Sequence, residues 1–122
     1  MFIDIYIYIL MDYKYRAYVK GVYDGDTITC DIDCGFGIKY SGQKIRLYGI
    51  NTPELRGEDR LKGIEVRDIL REKILGKWII LKTIKDKKGK YGRYLGIILK
   101  EENGEMININ KWLKDNGYAN DY

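Results

Sequence analysis

Two alternating stretches, Tyr15–Tyr23 and Thr27–Cys34, meet at the turn DGDT (24–27), and they constrain this chain more than any other feature. Side chains along a strand point alternately to opposite faces, so period-two patterning around a glycine-containing turn predicts a β-hairpin. The theme recurs. Lys44–Gly49 reads as a third strand, Trp78–Ile84 as a fourth with a continuous apolar run, and Tyr94–Leu99 as a fifth. Met106–Ile109 adds a short extended piece. The glycine-rich GFGIKYSG (35–42) and the charged KDKKGKYG (85–92) read as connections. Two segments break the pattern. Over Asp59–Leu75, Val66, Ile69, Leu70 and Ile74 recur at helical spacing and Gly76 supplies a stop. A second helix is predicted near Asn110–Asn116, capped by Gly117.

Five short strands with a helix after the third predict an α+β fold: a five-stranded OB-like β-barrel with that inserted helix and a C-terminal helix. Such barrels commonly bind oligonucleotides, although a fold does not assign a function. At 122 residues one domain is expected, over 13–122. Residues 1–12 form an apolar tail or an extra strand, with Ile3, Ile5, Ile7 and Ile9 alternating. That apolar run is half of the roughly 20 residues a membrane-spanning helix needs. It carries Asp4 and lacks both a cationic start and a small-residue cleavage site, so no membrane span or secretory leader is expected.

Cys30 and Cys34 are the only cysteines. On one strand they would lie roughly 13 Å apart, too far for a disulfide. They are expected as buried free thiols, which favours a reducing, intracellular compartment. A monomer is expected.

The chain contains no histidine. That excludes histidine-based nucleophilic triads, histidine general bases and histidine zinc sites together. Any chemistry must come from carboxylates, Lys, Arg, Tyr or Cys. The net charge of +4 is mild, yet Lys82, Lys85, Lys87, Lys88, Lys90 and Arg93 crowd into one short stretch. Such a patch attracts phosphate backbones, or is simply a solvated loop. Twelve tyrosines against two phenylalanines suit either a Tyr-rich core or a surface that stacks on bases.

Three segments carry polar groups suited to a site. In DGDT, Asp24 and Asp26 bring two carboxylates near a hard cation, or only close a hairpin. In IRLYGINTPEL (45–55), Arg46 and Tyr48 share a strand face, and Pro53 stiffens the turn that presents Glu54. In KGKYGRYLG (88–96), Tyr91 is placed to stack on a base or sugar and Arg93 to fork onto a phosphate. Each segment, taken alone, also reads as an ordinary turn or hairpin tip.

Together, DGDT (24–27), RLYGINTPE (46–54) and KYGR (90–93) resemble the staphylococcal nuclease (thermonuclease) family in order and spacing. MININKWLKDNGYA (106–119) is similar to that family's closing strand and helix. The resemblance implies a calcium-dependent phosphodiesterase acting on DNA and RNA with little sequence preference. It implies that Arg46, Glu54 and Arg93 are catalytic. It also implies that Asp26, Asn51 and Thr52 bind the metal, Thr52 through its carbonyl, and that Lys90 and Tyr91 touch the nucleotide. Two departures stand out. Asn51 replaces the usual aspartate, removing one negative charge and implying weaker metal binding. The tyrosines of the family's C-terminal extension have only Tyr122 as a loose counterpart. A nucleic-acid-binding barrel of weak or no catalytic activity is the alternative.

Overall fold

The computed structural model describes residues 13–88 and 93–122. The two alternating stretches form strands β1 (Lys14–Asp24) and β2 (Thr27–Asp33), paired antiparallel with Asp24 opposite Thr27. β3 (Lys39–Leu47) continues the meander and is followed by the short β4 (Ile50–Asn51). A 3-10 turn (Gly57–Asp59) leads into helix α1 (Arg60–Ile74). Then come β5 (Trp78–Lys88), β6 (Tyr94–Glu102), β7 (Glu105–Asn108), α2 (Ile109–Asp115) and β8 (Asn120–Asp121).

β1 pairs with β5 and β5 with β6, both antiparallel, and β6 returns to lie parallel to β3. That last pairing sets Arg46 beside Leu95 and Leu47 beside Gly96, closing a five-stranded mixed barrel. The expected architecture is present: an OB-like α+β fold with one helix after the third barrel strand and one near the C-terminus. No described helix is long and apolar enough to cross a membrane.

Period-two burial fills the interior. Ala17 and Val19 of β1, Ile28 and Cys30 of β2, and Ile45 and Leu47 of β3 are all buried, while their neighbours face outward. α1 closes one end with Gly63, Val66, Leu70 and Ile74. Ile69, expected in that stripe, is only half-buried. The contact stripe is narrow and Ile69 lies to its side, near Lys73 and Trp112. None of the described tyrosines is buried; Tyr15, Tyr94 and Tyr118 flank the core, and Tyr23 and Tyr122 are well exposed. Among the described residues, the tyrosine excess therefore lies at the core's margin and on the surface.

Several boundaries differ from the expected ones. β3 begins at Lys39, inside the glycine-rich connection, because Lys39 and Tyr40 already pair with Asp33 and Ile32. The reversal is compressed into residues 34–38, where Gly35, Phe36 and Gly37 all have positive φ. β5 runs on to Lys88, into the charged stretch expected as loop, because Lys88 pairs with Tyr94 after a register shift. Cys34 is exposed, not buried, since β2 ends at Asp33 and Cys34 opens the reversal. Cys30 is buried as expected, and burial, with Asp31 nearby, pushes its thiol up to about 12. Residues 1–12 lie outside the described residues.

One buried polar side chain ties α2 to the barrel. The Asn110 amide nitrogen donates to the carbonyls of Tyr48 (2.9 Å) and Gly96 (3.1 Å), and its oxygen accepts from Ile98 N–H (3.1 Å). This holds the β3–β4 corner against β6. Its three bonds satisfy nearly all of its capacity, which is the condition for a buried amide to be tolerated.

Candidate active site

The β1–β2 turn is the base of the site. The Asp24 carboxylate accepts from Asp26 N–H at 3.0 Å, a local bond that fixes the turn. The Asp26 carboxylate is buried and accepts from Thr52 N–H at 3.0 Å, drawing the segment after β4 onto the turn. Two glycines make this approach possible. A Cβ on Gly25 would lie 2.7 Å from both Thr52 Oγ1 and Val66 Cγ1, and a Cβ on Gly63 would collide with the Glu54 carbonyl. Thr52, Pro53 and Glu54 are thus clamped between the hairpin turn and α1.

Arg46 stands on β3 opposite Thr27 of β2. Its Nη1 donates to the Leu47 and Ile50 carbonyls at 2.8 and 2.9 Å. Its Nη2 donates to Asn51 Oδ1 at 3.2 Å and lies 3.3 Å from Asp26 Oδ2. The guanidinium is therefore fixed by four acceptors, and its Cζ lies over the Tyr122 ring, 5.3 Å from the ring centroid. Arg93 Nη1 donates to Thr27 Oγ1 at 3.3 Å, and that hydroxyl donates to Asp26 Oδ1 at 3.4 Å. Asp26 thus orients both arginines, Arg46 directly and Arg93 through Thr27.

These groups share one open cavity of about 570 Å³, whose walls include Arg46, Arg93, Glu54, Asp26, Asn51 and Thr52. All six residues singled out by sequence within the described residues are brought together. Glu54 is exposed on the wall, and among the described residues its carboxylate has no hydrogen-bond or ion-pair partner. Lys90 and Tyr91 lie outside the described residues. Sequence reasoning missed Thr27 as the holder of Arg93 and underused Asp24 and Tyr122. Asp24 was visible in DGDT; Tyr122 gave no signal of its own, because its place depends on β8 pairing with β4.

Burial, and then the adjacent Asp26, push the Asp24 carboxyl up to about 6. Two close carboxylates in a partly desolvated turn favour a cation nearby. Among the described residues no three His, Cys, Asp or Glu side chains converge on one point. With Asp26, the Asn51 amide oxygen and the Thr52 carbonyl are the ligands that the family resemblance implies for a metal here. That donor set is all oxygen, as a hard ion such as Ca²⁺ prefers, so the residues fit the group.

Residues 44–122 match the model of the family described as staphylococcal nuclease homologue, a span that includes Arg46, Asn51, Thr52, Glu54 and Arg93. An uncharacterized protein of Methanocaldococcus jannaschii is 30% identical over 132 aligned positions, which cover 88% of this chain. The chain spans 59% of that relative's length. With the barrel, its inserted helix and the matched span in agreement, the chain belongs to the staphylococcal nuclease family.

Proposed function

We propose that this chain is a metal-dependent phosphodiesterase, with calcium as the metal, that hydrolyses DNA and RNA with little sequence preference. The observation that carries the proposal is the meeting of Arg46, Arg93 and Glu54 on one polar cavity beside the Asp26 turn. Hydrolysis of a phosphodiester builds negative charge on the phosphoryl oxygens. Two prepositioned guanidiniums oppose that charge without reorganising. Arg46 is held by four acceptors around its two Nη atoms, which leave the guanidinium little freedom to move and its Nε–H as the donor not so engaged among the described residues. Glu54, unpaired among the described residues and carried on a clamped turn, orients the attacking water and accepts its proton. Asp26, Asn51 and the Thr52 carbonyl would hold the ion, which supplies further neutralisation of phosphoryl charge. Lys90 and Tyr91 are proposed to contact the nucleotide.

The cavity's chemistry supports the reading of little sequence preference. Its polar groups suit phosphate, and phosphate contacts carry no base information.

A second reading rests on Asn51. Its side-chain oxygen already accepts from Arg46 Nη2, and as an amide it adds no charge to attract an ion. On that reading the barrel binds nucleic acid and cuts it weakly or not at all. Digestion of single- and double-stranded DNA with and without millimolar calcium separates the two. The nuclease reading expects cutting that chelator abolishes and that Glu54→Gln reduces by orders of magnitude. Retained binding without cutting supports the second reading, and full activity in Glu54→Gln removes Glu54 from its role.

A further inference from the structure

A second cavity, of about 330 Å³, opens beside the first and is lined by Tyr23, Thr27, Thr29, Lys44 and Arg93. Tyr23 and Arg93 belong to both cavities, so the two meet along these side chains. The floor of the second cavity is the outward face of the β1–β2–β3 meander. Thr27 lies opposite Arg46 and Thr29 opposite Lys44, while Ile28 and Ile45, between them, point into the core. Gly21 pairs with Thr29 on the other side, so no side chain stands beside Thr29 there. The volume lies at the lower end of the roughly 300–1,000 Å³ of small-ligand sites.

Three features of this face fit one extended strand of nucleic acid. Lys44 and Arg46 are two residues apart on one strand face, about 7 Å by strand rise, a spacing that suits neighbouring phosphates of one chain. Lys44 is exposed, and among the described residues it has no carboxylate within ion-pair distance. Tyr23 is 69% exposed at the end of β1, where the two cavities join. Exposed aromatics beside a cationic track are how single strands are held without reading sequence.

The geometry points to a second nucleotide subsite: the cavity of Tyr23, Thr29 and Lys44 holds the nucleotide on the far side of the phosphate seated between Arg46 and Arg93, with Tyr23 stacking on its base and Lys44 pairing with its next phosphate. This inference rests on the phosphodiesterase reading of the first cavity. It adds that the protein engages single strands through at least two consecutive nucleotides along the meander. The protein should then gain affinity in a step when a second nucleotide is supplied on that side.

The test uses Glu54→Gln protein, to suppress cutting, and fluorescent oligothymidylates of one to six nucleotides in calcium buffer. Lys44→Met and Tyr23→Ala are each added to that background, with Tyr23→Phe as the conservative control. Both positions are exposed, so the variants are expected to fold, and circular dichroism checks this. The subsite expects Lys44→Met to weaken the longer oligomers about tenfold more than the mononucleotide. The salt slope for the longer oligomers should drop by about 0.7, the value for one phosphate contact on a single strand. Tyr23→Ala should cost about tenfold on the longer oligomers, with most of that recovered in Tyr23→Phe, because stacking needs the ring and not the hydroxyl. If the parent gains affinity with length but every variant shows the same length dependence, the subsite is overturned while the first cavity's reading stands. If the parent binds no oligomer and the unmodified chain cuts none, both readings fall together.

Discussion

Arg46 and Asp26 form an ion pair at 3.3 Å with their side chains only 12% and 8% exposed. Nη2 of the same arginine also reaches Asn51, and Nη1 reaches two backbone carbonyls. A lysine ammonium is a compact donor that cannot reproduce this planar fork. Arg46→Lys is therefore expected to keep the charge but lose about 10²- to 10³-fold in turnover. Arg46→Ala should also destabilise the fold by about 3 kcal/mol or more, because it leaves Asp26 buried without its partner. Single-turnover cleavage of DNA and urea unfolding separate the two effects. Equal turnover in wild type and Arg46→Lys would show that the fork has no role.

Asn51 is where a charge can be restored. Its Oδ1 accepts from Arg46, and a carboxylate there would keep that bond while adding a negative charge beside Asp26. Asn51→Asp is expected to tighten calcium binding about tenfold, since affinity in oxygen-ligand sites follows the number of charged ligands. Titration calorimetry on metal-free protein reads this directly. Equal or weaker affinity would count against Asn51 as a ligand.

Gly63 controls Glu54 from inside the helix. A Cβ there would meet the Glu54 carbonyl, with the Pro53 carbonyl at 2.9 Å, so Gly63→Ala must push the turn away from α1. On helix propensity alone the same change would stabilise by roughly 1 kcal/mol. The expected outcome is the reverse: a lower melting temperature and a fall in kcat larger than the change in KM. A stabilised, fully active Gly63→Ala protein would show that the turn accommodates the methyl and that the close approach does not position Glu54.

Much of this arrangement was legible in the residues, for identifiable reasons. Period-two burial on β1, β2 and β3 and the glycine stop after α1 are local signals, and they predicted the barrel strands and the first helix. The gathering of Asp26, Asn51, Thr52 and Glu54 was implied by the family resemblance of their motifs, and the Thr52 N–H to Asp26 bond shows how it is built. What stayed hidden depends on pairing between distant segments. Gly63 reads in sequence as a weak helix residue, and only its approach to Glu54 explains it. Cys34 reads as the end of an alternating strand, but β3 pairs early and turns it outward. Tyr122 reaches Arg46 because its N–H bonds to the Gly49 carbonyl at 3.1 Å, a link that no local pattern announces.

Asn110 is the polar staple between α2 and the barrel, with three bonds to Tyr48, Gly96 and Ile98. Asn110→Ala would take this partner from the Tyr48 carbonyl and the Ile98 N–H, while the Gly96 carbonyl keeps the Tyr48 N–H at 2.8 Å. Each orphaned group costs about 1–3 kcal/mol, so the variant should lose about 2 kcal/mol or more in urea unfolding. Because Tyr48 adjoins the corner that carries Asn51, nuclease activity should fall well below the melting temperature as well. Stability within 1 kcal/mol of wild type, allowing for the roughly 0.5 kcal/mol typical of surface changes, would mean that water replaces the amide.

The two thiols should differ in reactivity. The thiolate is the reactive form, and burial holds Cys30 near 12, so at pH 8 its thiolate fraction is negligible. Cys34 is exposed on the reversal between β2 and β3, and among the described residues its Sγ makes a long contact of 3.8 Å to the Ile32 carbonyl. A thiol reagent at pH 8 is expected to modify one cysteine in the native protein, mapped to Cys34, and the second only on unfolding. For Cys30 the sign of the effect is set by its raised value: the neutral thiol persists in the fold throughout the neutral and mildly alkaline range. The rate at Cys30 therefore reports opening of the barrel, and it should rise in proportion to the unfolded fraction as urea is added. Rapid native-state modification of Cys30 that is insensitive to urea would contradict its placement in the core.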